Sequence, residues 1–388
     1  MDVRERFLRT MHFEKVDRLP LCEFLGYWPE TVQRWYSEGL PAGADLETYF
    51  DFDQGLTPSP WKSEVAVSSS LSGHVDLDPH MLSIEFGPIP RYGPRVLEED
   101  QRYRLVLDAT GVKKRFVKDR ITGIPQFVEH PIKDRSDFTK MKPRFKPDDL
   151  RRFPLNLTGE MIEYYNRRKF PLGVEFPGFF ATGRNFMGTE RFLVSFHRDP
   201  KLIREMMDFW GDFVTSTLET VVEQVRIDFA VSWEDMAYRK GPHISPQFFR
   251  EFLRPQYGKV TSMLRSKGVD IIIVDSDGNM ESLIPPLLES GINGILPLEA
   301  GAGMNAVSLR EKYGKNLIMI GNIDKKALLA GPEAIKNEVE SKLAKLVNYG
   351  GYVPSIDHEV PADVTLSNYR YYVRLLKKNL SATVSVPP

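Results

Sequence analysis

The sequence predicts an α/β fold, a (β/α)8 TIM barrel with an inserted β-hairpin region near the barrel mouth. Three observations carry that reading. First, short apolar runs in the last third of the chain end in polar residues: Ile271-Ile-Ile-Val274 leads into Asp275-Ser-Asp-Gly278, and Ile295-Leu296 into Pro297-Leu-Glu299. Leu317-Ile-Met-Ile320 likewise leads into Gly321-Asn-Ile-Asp324, and Gly351-Tyr-Val-Pro354 into Ser355-Ile-Asp-His358. Second, a helical pattern follows each run, the cadence of βα units. Third, a length of 388 residues suits one decorated barrel, with 1–388 as a single domain. Barrels of this type build their sites from strand ends, so the polar residues in chain order form a first map of the site.

The elements follow in order. Phe7, Leu8 and Met11 fall on one face of a short opening helix. Arg18 to Phe24 reads as a first strand, and Pro29 to Glu38 as its helix, with Pro29 in the first turn and Gly39 at the end. Residues 60 to 135 break the cadence. Alternation in Tyr103–Leu107 and Val112–Val117, around Gly111, predicts an antiparallel hairpin inside this insertion, placed as a lid or a dimer contact. Leu172 to Phe176 reads as a strand, followed by a loop from Pro177 to Gly188. Asp199 caps a long helix opening at Pro200. Asp228 to Trp233 is a strand ending in Glu234 and Asp235, Pro246 to Lys267 is a helix, and the tail from Ser381 frays.

Composition excludes several classes. A net charge of −1 offers no bulk attraction to nucleic acid or anionic membranes. The basic stretch Lys113, Lys114, Arg115, Lys118 and Arg120 reads as a solvated hairpin face. Cys22 is the only cysteine, which rules out an internal disulfide and a cysteine-rich metal site. No apolar run spans a bilayer, and the first residues lack the apolar core of a secretory signal, so a cytoplasmic protein is expected. Gly301-Ala-Gly-Met304 lacks the spacing of a dinucleotide fingerprint, and Ser355 has no nucleophile-elbow context.

Certain motifs, taken in order, resemble those of the uroporphyrinogen decarboxylase superfamily of (β/α)8 barrels, which also includes corrinoid-linked methyltransferases. They are Arg4-Glu-Arg6 with Asp17-Arg-Leu-Pro20, Gly321-Asn-Ile-Asp324 with Leu328, Gly350 to Ser355 with Asp357-His358, and Pro361 with Asn368. The likeness is weakest across 60 to 135. In the decarboxylases an arginine-rich segment after the first strand holds the acidic substrate; here that place reads Gly26-Tyr27-Trp28. In the zinc-dependent methyltransferases a His-x-Cys pair follows the fifth strand and a cysteine the last. Here the first position reads Asp275-Ser-Asp277 and no cysteine follows the last strand.

The candidate residues follow from strand-end placement and from the resemblance. His358 stands where the decarboxylases carry a site histidine, and an imidazole there can move a proton or orient a substrate oxygen. The plainer reading pairs it with Asp357. Asp275 and Asp277 form an acid/base pair or ligands for a hard cation, unless Asp277 merely caps the next helix. Of Glu234 and Asp235 one faces the pocket, because neighbours on a strand point oppositely. The resemblance matches Asp235 to a decarboxylase serine and makes Glu234 the better metal ligand. Arg184, aligned with a decarboxylase tyrosine, joins Phe176, Phe179, Phe180 and Phe186 in an expected wall for a flat or anionic ligand. Tyr27, Trp28 and Trp233 extend it, and Glu299 stands at a further strand end. A divalent metal would draw on Glu234, Asp275 and His358.

The leading functional expectation is a corrinoid-linked methyltransferase. It would take a methyl group from a small methylated substrate, such as a methoxylated aromatic, to cobalamin on a partner protein. The alternatives are a decarboxylase of a small heteroaromatic acid and a non-catalytic binding subunit. The resemblance implies a homodimer.

Overall fold

The computed structural model describes residues 1–58, 81–118, 125–153 and 159–380. The first part of the expected insertion, His74, His80, Arg120 and the tail from Ser381 lie outside the described residues. In chain order the strands are β1 (Met81–Leu82), β2 (Arg95–Glu99), β3 (Tyr103–Leu107), β4 (Lys113–Val117), β5 (Gln126–Glu129), β6 (Gly173–Pro177) and β7 (Phe229–Trp233). Then come β8 (Ala237–Tyr238), β9 (Gly241–Pro242), β10 (Ile271–Asp275), β11 (Gly294–Leu296), β12 (Ile318–Ile323) and β13 (Tyr352–Ile356). Seven of them form one parallel sheet in the order β1-β6-β7-β10-β11-β12-β13, with helices between successive strands. This is the expected TIM barrel.

Register decides which side chains face the barrel axis. Ile271 lies beside Phe229, Ile273 beside Val231 and Gly294, and Asp275 beside Trp233 and Leu296. Phe229, Val231, Ile271, Ile273, Leu296, Ile318, Ile320 and Val353 pack into one inner cluster. The intervening Ala230, Ile272, Val274, Ile295 and Met319 belong to a larger cluster against the helices. Successive strand residues alternate faces, so the inward row Ile271, Ile273 continues into Asp275, and Phe229, Val231 into Trp233. The apolar interior therefore gives way to polar chemistry at the C-terminal rim.

The opposite end is closed by the helix Val3–Met11, whose Phe7 and Met11 join the inner cluster. Ion pairs hold it there. Arg4 and Arg168 both donate to Asp228, Arg6 bridges Asp17 and Asp53, and Arg18 grips Asp53 with both terminal nitrogens. Asp53 also accepts from the Leu21 backbone at 2.9 Å. The family-like motifs at the start of the chain are thus a scaffold device.

Three expectations need correction. Arg18 to Phe24 forms no ladder strand. Pro20 lacks an N–H, and side chains replace the ladder: Phe24 N donates to Ser355, Ile356 N to Glu23 and Glu23 N to Thr57. The segment still runs alongside β13, with a parallel bridge between Tyr27 and Val360. The expected loop from Pro177 to Gly188 is a helix, Phe179–Met187. The insertion holds a four-stranded antiparallel sheet, β2-β3-β4-β5, of which the expected hairpin β3–β4 is the centre. Its basic residues engage acidic neighbours, Lys113 with Glu129, Lys114 with Asp108 and Lys118 with Glu99, as a solvated face does. No helix among the described residues is long and apolar enough to cross a membrane.

Asp53→Asn leaves the buried Arg6 and the part-buried Arg18 short of a counter-charge. Removing one member of such a cluster costs about 3 kcal/mol, and urea denaturation of the variant is expected to show a loss of that size.

Candidate active site

A cavity of about 190 Å³ opens at the C-terminal rim of the barrel. Its wall brings together Glu175, Trp233, Asp235, Asp275, Asp277, His358 and Glu359, over an apolar base that includes Phe229, Val231 and Leu296. Among the described residues, no lysine or arginine lines it. These side chains arrive from four strands, β6, β7, β10 and β13, or from the turns after them. Glu175 lies beside Val231 in the β6–β7 ladder and so shares its inward face.

The carboxylates crowd one another. Burial, reinforced by Asp277 and Glu175, holds the Asp275 carboxyl well above the ordinary aspartate range. The Asp275 carboxyl has no hydrogen-bond or ion-pair partner among the described residues. Burial, with Glu299 and Asp235 nearby, lifts Asp277 to about 6. Glu359 is raised by burial too, and it accepts from Trp28 Nε1 at 2.7 Å. His358 is shifted the other way, lowered by burial and by Lys325, which favours a neutral imidazole. Its Nε2 lies 3.8 Å from Asp277 and its Nδ1 4.0 Å from Glu359, with the ring edge-on to Trp28. The expected partner, Asp357, faces elsewhere: it accepts from Ala300 N and Lys325 N and fixes the neighbouring loops. Asp277 does not cap the next helix, because Asn279 accepts from Glu281 N there.

Glu234 and Asp235 separate as alternation demands. Glu234 is 1% exposed, accepts from Phe180 N and Ala181 N and takes the Tyr257 hydroxyl proton in a hydrogen bond. It therefore caps the helix Phe179–Met187 from below, satisfying backbone donors that the first helical turn leaves open. Gly178 makes this possible, since a Cβ there would lie 2.1 Å from the Glu234 carboxyl carbon. Arg184, on the same helix, pairs with Asp235. Both residues border the cavity, but the Glu234 carboxyl is engaged by the helix and Tyr257 and so acts in positioning, while the Asp235 carboxyl pairs with Arg184.

The expected metal set fails on geometry. Glu234 is engaged by the helix and Tyr257, and no three His, Cys, Asp or Glu side chains among the described residues are grouped to hold a metal ion. The expected aromatic wall also needs correction. Phe176 shares the outward face of Ser232 and packs in the core, as do Phe179 and Phe180. Phe186 stacks on Trp210, and the Tyr27 hydroxyl bonds to Tyr369 against Trp35. These rings lie outside the cavity lining; Trp233 borders it, and Trp28 reaches it through Glu359 and His358. Glu299 accepts from Gly278 N and pairs with Lys325 at 3.2 Å, so it shapes a turn. Two wall residues were absent from the sequence expectations, Glu175 and Glu359. A lone carboxylate within the apolar run Leu172–Phe176 was the available signal for the first.

Comparison with known proteins agrees with this architecture. The profile of the uroporphyrinogen decarboxylase (URO-D) family matches residues 84–379. The chain therefore belongs to the uroporphyrinogen decarboxylase family. Uroporphyrinogen decarboxylase from Chlorobium phaeovibrioides is 23% identical over 188 residues, 47% of this chain and 50% of that protein. The enzyme from Actinobacillus succinogenes is 24% identical over 183 residues, 46% of this chain and 48% of its own. The chain thus spans about half the length of these curated relatives. A methyltransferase from Methanosarcina mazei superposes with a TM-score of 0.61 at 17% identity, covering 97% of this chain and 99% of that one. At that identity the likeness is one of fold.

Burial raises Glu234 to about 7 in the fold, from an ordinary value of 4.5. Its contribution to stability is complete below 4.5 and is lost as the pH rises through about 7. The urea midpoint of the native chain should fall across that interval, and fall less in Glu234→Gln; Glu23, raised to about 7 by burial as well, keeps part of the slope in both.

Proposed function

We propose that this protein is a methyltransferase that takes a methyl group from a small methylated substrate and passes it to cobalamin carried by a partner protein. The observation that carries the reading is the charge of the cavity. Uroporphyrinogen is a polycarboxylate, and a wall of carboxylates with no lysine or arginine among the described residues repels such a ligand. A methyl group leaves oxygen or nitrogen readily only when that atom carries positive charge. The cavity supports this in two ways. Asp275 and Asp277, held toward their protonated forms, can deliver a proton to a leaving atom. As carboxylates, they and Glu359 stabilise a positive charge already present. Neutral His358, beside Asp277 and Glu359, can take up or relay the proton between turnovers. The fold likeness to the Methanosarcina mazei methyltransferase supports the same reading. Reduced cobalamin would supply the nucleophile that receives the methyl group.

The donor set does not favour a metal at Glu234, Asp275 and His358, so Asp275 and His358 act here as acid, base and charge, and Glu234 positions the helix beside them. Arg184 would have to release Asp235 before it could hold a carboxylate, which weighs against decarboxylation of an aromatic acid.

The test is methyl transfer to free reduced cobalamin from a panel of methoxylated aromatics and methylated amines. Formation of methylcobalamin is expected with at least one of them, and Asp275→Asn should lower that rate about 100-fold, within the range for loss of a positioned acid or charge. No methylcobalamin from any member, together with carbon dioxide release from pyrrole or aromatic acids, would replace this reading with decarboxylation. Unchanged behaviour in both Asp275→Asn and His358→Ala would favour a non-catalytic subunit.

A further inference from the structure

We propose that the cavity takes a methylated organic cation, a quaternary or protonated tertiary ammonium, as its substrate. The inference rests on the methyl-transfer reading and narrows it to a ligand class. Four features of the wall point the same way.

The first is the sign of the charge. Glu175, Asp235, Asp275, Asp277 and Glu359 come from four strands, β6, β7, β10 and β13, or the turns after them, and converge on one cavity. Among the described residues, the nearest cations are already matched, Arg184 by Asp235 and Lys325 by Glu299. The second is Asp275, half-buried at the end of β10 on the cavity wall, whose carboxyl has no hydrogen-bond or ion-pair partner among the described residues. A carboxyl in that position gains most from a charge that enters with the ligand. The Asp275 carboxyl is held above its ordinary range while the space is empty, and a bound cation would draw it back toward the ionised form.

The third is aromatic. Trp233 and Phe24 border the cavity, and Trp28 holds Glu359 in place from the side. Indole and phenyl faces attract cations, and aromatic walls with a few carboxylates suit alkylated ammonium groups, which have bulk and charge but few hydrogen-bond donors. The fourth concerns shape. The carboxylates surround a space of about 190 Å³ and are not grouped to coordinate a metal ion. A large, weakly hydrated cation fills such a space and neutralises several carboxylates at once.

The chemistry balances. The C–N bond breaks with its electron pair remaining on nitrogen, so an uncharged amine leaves a quaternary donor without any proton being moved. The methyl group is received by the electron pair of the reduced corrinoid on the partner. A protonated tertiary donor keeps its N–H and leaves as an uncharged secondary amine, so that donor needs no proton transfer either. Loss of the ligand's positive charge on reaction weakens its hold on the carboxylates and favours release.

The experiment compares the intact protein's binding of choline and tetramethylammonium with that of dimethylbutanol, in which carbon replaces the nitrogen of choline at nearly equal shape. Titration calorimetry is expected to show choline binding at least about 10-fold tighter than the neutral isostere, with the advantage shrinking as salt is added. Asp275→Asn and Glu359→Gln, each checked for an unchanged far-ultraviolet spectrum, should each reduce choline affinity and leave the isostere unaffected. Equal binding of choline and the isostere, or no binding of either cation, would overturn the proposal. Methyl transfer from a methoxylated aromatic without cation binding would overturn it while sparing the methyltransferase reading. Tight cation binding with no methyl transfer from any donor would support the ligand class and contradict that reading instead.

Discussion

The crowding of carboxylates at one end of a closed parallel barrel is the constraint on which this molecule turns. Inward positions recur at every second residue of a strand, so an apolar axis can be continued into a site only at the last inward position. Ile271 and Ile273 fill the interior, and Asp275 stands one step beyond them. The same step carries Phe229 and Val231 into Trp233. Carboxylates brought together in this way cannot all ionise cheaply, because each is partly removed from water and faces like charge. The cavity therefore holds protons or attracts cations, and both behaviours serve chemistry in which positive charge develops on a leaving atom.

Around that rim the protein devotes its other polar groups to support. Glu234 lies under the helix Phe179–Met187 and so fixes Arg184 against Asp235. Asp357 ties Ala300 to Lys325, and Lys325 in turn steadies Glu299, which accepts from Gly278 N beside Asp277. Glu23 takes hydrogen bonds from Ser355, Ile356 N and Tyr369, closing the first segment against β13. These carboxylates neighbour the reactive ones in sequence yet act on backbone and loops.

The parallel strands from β6 onward were legible in the sequence because both faces of each are buried, leaving continuous runs such as Ile271–Val274 bounded by turn residues. Asp275, Asp277, Asp235 and His358 were legible from their strand-end positions, and they meet in one cavity. The first strand and the aromatic wall were not. The first strand depends on side-chain hydrogen bonds from residues more than three hundred positions away. The phenylalanines of 176–187 were assigned to the pocket because the segment was read as loop; as a helix it turns them into the core. The motifs that mark the family are chiefly scaffold: Arg6 and Arg18 grip Asp53, and Asn322 donates to Leu298 and Met304 carbonyls while accepting from Ala306 N. That separation explains how a chain can keep the family's frame around a cavity walled by carboxylates.

The protonation state of Asp275 tests this account most directly. Infrared spectra of the carboxyl C=O stretch, recorded at about pH 7 for the native chain and for Asp275→Asn, should show a buried protonated carboxyl in the first that is missing from the second. Identical spectra, with every carboxylate ionised well below neutral pH, would mean that the acidic groups do not share an enclosed space and would contradict the account.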